Sequence, residues 1–152
     1  MTLYLVQHGK AVPKEQDPEE PLSEQGLQEV EDVARVAKNK GARLDKIEHS
    51  PKLRAKQTAE TFEKYLNPGQ GTSQREGIKA KDDPTILGSE ISSDQDLMLV
   101  GHLPFMEKLA SYLLTGQTER RVVKFQNGGI VALDRDEGSG EWMLRATIFP
   151  YV

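Results

Sequence analysis

Short apolar runs alternating with amphipathic helices predict an α/β fold: a mostly parallel sheet flanked by helices, with an antiparallel edge. Two observations carry that expectation. Apolar runs at residues 3–6, just before Ser50 and at 97–100 are each followed by a helical pattern, the order of a parallel sheet. Two later runs, 129–134 and 142–149, flank the polar turn Asp136-Glu137-Gly138-Ser139-Gly140 and read as a hairpin at the sheet edge.

In chain order, Leu3-Tyr4-Leu5-Val6 is the first strand. Residues 13–21 are polar and acidic, carry three prolines, and read as a surface loop. Ser23 suits a helix N-cap, and Leu27, Val30, Val33, Ala34 and Ala37 then recur at helical spacing. Gly41 stands where a terminating glycine belongs. A second helix covers 53–66, with Ala55, Ala59, Phe62 and Leu66 on its apolar face. A third starts near Pro104 and shows Phe105, Leu109, Tyr112 and Leu113. The pattern is weak between residues 77 and 96, where Asp83-Pro84 is suited to cap and open one short helix.

A chain of 152 residues suits one domain, 1–152, of a size that buries roughly 68–70% of its unfolded surface. It contains no cysteine, which removes disulfides, thiolate metal sites and thiolate nucleophiles. The formal net charge is −4 with no compensating basic stripe, so a nucleic-acid partner is not expected. The run 3–6 is too short for the core of a signal peptide and no basic segment precedes it. Nothing approaches the ~18 apolar residues of a membrane span. The expectation is a soluble cytoplasmic protein with no membrane partner.

Two of the three histidines occupy equivalent places. His8 follows the first strand in Val6-Gln7-His8-Gly9, and His102 follows a later one in Val100-Gly101-His102-Leu103. Arg54 lies just beyond a third strand end, in Ser50-Pro51-Lys52-Leu53-Arg54. Open α/β sheets bind ligands outside the carboxyl ends of their strands. A guanidinium fork suits phosphate oxygens, and a neutral imidazole is a competent nucleophile toward phosphorus. Taken singly, a strand-end histidine is more often a surface or capping group and an early-helix arginine is more often solvated; their shared placement is what those readings do not predict. His49 lacks such support and reads as a strand residue. No Gly-Lys-Ser/Thr phosphate loop, no aspartate ending the first strand and no His-Glu-x-x-His cluster is present. Neither a cofactor nor a metal is expected.

At these residues the sequence resembles the histidine phosphatase superfamily, named for an Arg-His-Gly motif at the end of its first strand, and within it the small bacterial phosphohistidine phosphatases of the SixA type. Leu3 through Ala11, Pro21-Leu22-Ser23-Glu24-Gln25-Gly26, Ser50-Pro51 through Ala59, and Val100-Gly101-His102-Leu103-Pro104 match its four motifs in order. The resemblance implies a three-layer α/β/α sandwich of the phosphoglycerate mutase-like type. It implies His8 as the nucleophile that becomes phosphorylated, with Arg54 and His102 on the phosphoryl oxygens and metal-independent hydrolysis. Ser50 and Thr58 also fall on family positions and read as structural, a turn residue and a helix-packing residue.

One departure stands out: Gln7 replaces the family's arginine. Its amide still donates to phosphate, without the charge that roughly doubles the strength of such a bond. Lys10 is an accessory candidate to restore that charge, although a solvated lysine is the plainer reading. Asp82 and Asp83 are the candidates by chain order for a general acid, and Asp83 also suits a helix cap. Three functions stay open at this point. The first is a phosphatase for phosphohistidine in a protein, whose labile P–N bond needs little acid assistance. The second is a phosphatase for a small phosphate ester, which calls for a carboxylate over the phosphate. The third is a catalytically weakened phosphate-binding module, favoured by Gln7.

Overall fold

A computed structural model describes residues 1–91 and 94–152. The elements run β1 (Thr2–Gln7), α1 (Glu24–Asn39), β2 (Lys46–His49), α2 (Leu53–Leu66), β3 (Thr72–Gln74), α3 (Pro84–Glu90), β4 (Leu97–Gly101), α4 (Phe105–Thr115), β5 (Ile130–Arg135) and β6 (Trp142–Ile148). One six-stranded sheet has the order β3-β2-β4-β1-β5-β6. The pairs β3–β2, β2–β4 and β4–β1 are parallel; β1–β5 and β5–β6 are antiparallel. This is the mixed α/β sandwich that the strand–helix order predicts.

Alternation along each strand separates two cores. Leu3, Leu5, Leu97 and Leu99 pack with Leu87 of α3 and Phe105, Met106 and Leu109 of α4. Val6, Ile47, Met98 and Val100 pack on the other face with Val30, Val33, Ala34 and Ala37 of α1 and Ala55, Ala59 and Phe62 of α2. Helices therefore cover both faces, as a sheet with a fully apolar central strand requires. Among the described residues no helix is long and apolar enough to cross a membrane.

Local chemistry accounts for the helix ends. Ser23 caps α1 by accepting from the Gly26 N–H, and Gly41 follows with φ +80°. The Asp83 side chain caps α3, with Pro84 at its first position. The inward face of α1 begins one turn later than the apolar spacing suggests, since Leu27 is exposed and Val30 is the first fully buried apolar residue. Strand β3 is absent from the sequence reading. It is three polar residues long with a single partner strand, β2, so it lacks the apolar alternation that marks a strand.

Helix α1 starts against the chain just beyond β1. The Ser23 N–H and hydroxyl both donate to the Lys10 carbonyl. A Cβ at Gly26 would lie 2.1 Å from that same oxygen. Gly26→Ala is expected to cost about 2–3 kcal/mol, in the range for overpacking, and to lower the melting temperature by roughly 5–10 °C. Gly69→Ala, which meets nothing within 4 Å, is the control. Thermal unfolding followed by circular dichroism measures both; equal melting temperatures would mean that α1 and the Lys10 turn are not in fixed contact.

Candidate active site

Strands β1 and β4 are neighbours, but α1 leaves toward one face of the sheet and α4 toward the other. Such a divergence opens a crevice at the carboxyl ends of the strands. The last residues of the two strands, Gln7 and Gly101, are partners in register, and each is followed by a histidine. The rings of His8 and His102 lie 5.1 Å apart between centroids, tilted by 55°. Arg54, in the first turn of α2, brings its Nε to 3.4 Å from His8 Nε2. The three residues singled out from the sequence thus converge on one crevice.

Backbone and side-chain bonds fix His8 on all sides. Its N–H donates to the Gly101 carbonyl at 2.9 Å, and its carbonyl accepts from Asn127 Nδ2 at 3.0 Å. The ring Nδ1 lies 2.7 Å from the Gly9 carbonyl. A carbonyl only accepts, so Nδ1 carries the proton and Nε2 presents its lone pair toward Arg54. Next in the chain, the Gly9 N–H donates to the Thr58 hydroxyl, which itself donates to the Arg54 carbonyl. One threonine of α2 therefore ties the His8 turn to the backbone of Arg54.

His102 is buried, with Nε2 2.6 Å from the Ser50 hydroxyl. Ser50 also accepts weakly from the Lys52 N–H at 3.4 Å, and its own proton is available for donation to His102. In that arrangement His102 Nε2 is the acceptor and Nδ1–H is the free donor. Ser50 is thus more than a turn residue, and Thr58 more than a packing residue. Ser50 sits just past the end of β2, the kind of place that singled out His8 and His102, so strand-end position was a signal available for it; Thr58 lies within α2. Asn127 carries no comparable mark in the sequence.

The electrostatics favour the neutral form of both rings. Burial is the largest influence on His8 and lowers its pKa, Arg54 adds to the lowering, and the Gly9 bond and Glu20 oppose it. For His102, burial first and then His8, Arg54 and Lys52 bring the pKa down to about 4.

The accessory candidates are employed elsewhere. Lys10 Nζ stands 3.5 Å from Glu29 and 5.1 Å from the centre of the Tyr151 ring. Its side chain is still partly exposed, and no described bond aims it at the crevice. Asp82 accepts from the Lys79 N–H, and Asp83 from the Thr85 N–H and hydroxyl. They line a shallow cleft with Pro104 and Lys108, beside the turn after His102. The carboxylate that reaches Arg54 is instead Glu20, at 3.6 Å from Nη1, from the polar loop before α1. No described hydrogen bond engages the Gln7 carboxamide. His49 ends β2, buried, with Nδ1 against the Ser50 carbonyl. Among the described residues no group of three or more His, Asp or Glu side chains is placed to hold a metal.

Residues 3–79 match the model of the histidine phosphatase superfamily (branch 1). An uncharacterized protein of Picosynechococcus sp. is 31% identical over 141 residues, covering 88% of this chain and 84% of that one. The protein histidine phosphatase SixA, solved with tungstate, superimposes with a TM-score of 0.83 at 22% identity, over 99% of this chain and 97% of that one. A candidate phosphohistidine phosphatase SixA from Agrobacterium tumefaciens gives 0.76 at 26% identity, covering 96% of each chain. A mycobacterial glucosyl-3-phosphoglycerate phosphatase in complex with VO3 gives 0.73 at 14% identity, over 95% of this chain and 97% of that one.

The lowered histidine pKa values set a pH dependence of stability. An unfolded histidine takes up its proton near the ordinary value of 6.5, but folded His102 does so only near 4. Between these values the unfolded chain binds more protons, so this contribution is intact above about pH 6.5 and is lost as pH falls toward 4. Urea midpoints measured across that window are expected to decline in the wild type and to decline less steeply in His102→Asn. Parallel curves would show that His102 is protonated in the fold as readily as outside it.

Proposed function

The chain belongs to the histidine phosphatase superfamily, and from that membership we propose that it is a metal-independent phosphohistidine phosphatase acting on a phosphorylated protein through a phosphohistidine formed on His8. The observation that carries the reading is the state of the His8 ring. Its Nδ1–H is committed to the Gly9 carbonyl, and its Nε2 lone pair faces the Arg54 guanidinium at 3.4 Å.

In the first step His8 Nε2 attacks phosphorus and the bond from phosphorus to the leaving nitrogen breaks. Arg54 and the His102 Nδ1–H, and without charge the Gln7 amide, receive the phosphoryl oxygens. The substrate imidazole, already protonated on its other ring nitrogen, takes the P–N electron pair, keeps that proton and leaves as neutral imidazole. The phosphorylated ring of His8 is cationic while Nδ1 keeps its proton, and the Gly9 carbonyl stabilises that charge. In the second step water attacks phosphorus, the P–Nε2 bond breaks, and phosphate leaves with the proton lost by the water. His8 returns to its starting tautomer.

A small-molecule phosphomonoesterase is the second reading. Glu20 favours it, because it is a carboxylate next to Arg54, and an alkoxide leaving group calls for an acid near the phosphate. Its carboxylate is engaged by the Arg54 guanidinium at 3.6 Å, a contact made to the cation of the site and not to a leaving oxygen. The mycobacterial phosphatase among the similar folds keeps the ester class in view.

Incubation with phosphoramidate in the presence of EDTA is expected to give turnover and an acid-labile phosphoryl group on His8, read by mass spectrometry at alkaline pH. His8→Ala should lose both with an unchanged circular dichroism spectrum. Full activity in the folded variant would sink the nucleophile, and dependence on added metal would sink the mechanism.

Gln7→Arg tests the phosphate contacts. A charge-assisted contact contributes about 1.5–3 kcal/mol, so tungstate is expected to bind about tenfold more tightly by titration calorimetry. Weaker binding would mean that the pocket is built around glutamine.

A further inference from the structure

Glu20 is the negatively charged group that the site does not need for the steps above. It comes from the acidic loop before α1, and its carboxylate pairs with Arg54 Nη1 at 3.6 Å, with 36% of the Glu20 side chain and 21% of the Arg54 side chain exposed. The loop holds it there against backbone preference. Glu20 has φ +49°, a left-handed conformation uncommon for a residue with a side chain and doubly so before a proline. Anchors surround it: the Glu20 N–H donates to the Asp17 carbonyl, the Val12 N–H to the Pro21 carbonyl, and the Leu22 N–H to Gln57 Oε1 of α2. Strain of this kind persists where neighbouring structure enforces it.

The charge balance gives the carboxylate its meaning. Among Gln7, His8, Arg54 and His102, Arg54 is the one cation, since Gln7 is neutral and both histidines are pushed toward neutrality. Lys10 is engaged by Glu29. A phosphoryl dianion entering the crevice must therefore share or take Arg54 from Glu20. A carboxylate next to an anion site disfavours every anion, but the penalty is offset when the atom bearing the phosphoryl group is itself positive.

We propose that Glu20 is a specificity-determining residue that occupies Arg54 in the resting site and selects substrates whose phosphoryl group sits on a cationic nitrogen, the phosphoramidates of protonated imidazoles and amines, over phosphate esters. This rests on the phosphohistidine reading and narrows it. On binding, the phosphoryl oxygens take the guanidinium, and the released carboxylate faces the protonated leaving nitrogen. No bond to Glu20 forms or breaks and no proton moves to or from it.

Two variants test this. Glu20→Gln removes the charge at constant shape, and Glu20→Gly also suits the left-handed backbone, so neither result depends on one substitution being tolerated. Both are expected to bind tungstate about fivefold more tightly by calorimetry, a factor suited to a partly exposed ion pair. Both should lower the ratio of kcat/KM for phosphoramidate, a zwitterion with a cationic nitrogen, to that for p-nitrophenyl phosphate by a similar factor. Unchanged tungstate affinity overturns the proposal, and so does an unchanged ratio. A fall in kcat on p-nitrophenyl phosphate without tighter tungstate binding makes Glu20 a proton donor and also overturns it. If the wild type forms phosphohistidine on His8 and the Glu20 variants are silent, the selectivity claim alone fails; if the wild type neither binds tungstate nor becomes phosphorylated, both readings fail.

Discussion

The parallel pairing of β1 with β4 ends level: Val6 faces Val100 and Gln7 faces Gly101. Each strand then delivers a histidine at its next residue, and the register alone brings the two rings to 5.1 Å. A slip of one residue would turn one strand's side chains to the opposite face, carrying its leucines out of one core and its histidine away from the other. The packing that fixes the register is therefore also what fixes the site. Leu3 and Leu5 pack in the same core as Leu97 and Leu99, while Val6 shares the other core with Met98 and Val100. Helices α1 and α4 leave on opposite sides because each completes one of these cores, and the crevice is what remains between them.

Charge is rationed within that crevice. Burial lowers the pKa of both histidines and the nearby cations reinforce the effect, so two rings in contact range do not repel as imidazolium ions would. A neutral His8 keeps the lone pair that a nucleophile needs, and the Gly9 carbonyl decides which nitrogen bears it. The remaining positive charge comes from Lys52, which acts on His102, and from Arg54, whose Nε faces His8 and whose Nη1 faces Glu20. Two features that look unrelated in the sequence, glutamine at position 7 and glutamate at position 20, act in the same direction. One withholds a positive charge and the other adds a negative one, so the resting site attracts a phosphoryl dianion less than a pair of arginines would.

Much of this was legible in the sequence because the site is built at strand ends, and strand ends are marked by where apolar runs stop. The 53–66 helix, the Ser23 and Asp83 caps and the convergence of His8, Arg54 and His102 all follow from local patterns. What was not legible depends on long-range placement. β3 is a strand by virtue of its partner β2 and not of its own three polar residues. Lys10 is two residues from His8, yet its amino group is drawn to Glu29, a residue of α1 that also accepts from the Tyr151 hydroxyl near the other end of the chain. Asp82 and Asp83 looked like candidates for the leaving group by order alone, while Glu20, 34 residues before Arg54, looked like one more solvated carboxylate. Its position comes from a loop pinned to α2 through Gln57, which periodicity does not reveal.

The bonds around Thr58 hold the core of the site more tightly than the loop that carries Glu20. Gly9 donates to the Thr58 hydroxyl and the hydroxyl donates to the Arg54 carbonyl, so a displacement of the guanidinium helix carries the His8 turn with it. Ser50 likewise joins the end of β2 to His102. These side chains are buried, and removing either hydroxyl leaves a polar partner unsatisfied, which costs about 1–3 kcal/mol. Glu20 contributes no such constraint, because its ion pair is partly exposed and of the kind worth about 1 kcal/mol or less. A change at position 20 therefore alters the field at Arg54 without moving His8, Arg54 or His102 relative to one another. The fold thus separates the groups that are tied together, His8, Arg54 and His102, from the loop carboxylate through which we propose that substrates are selected.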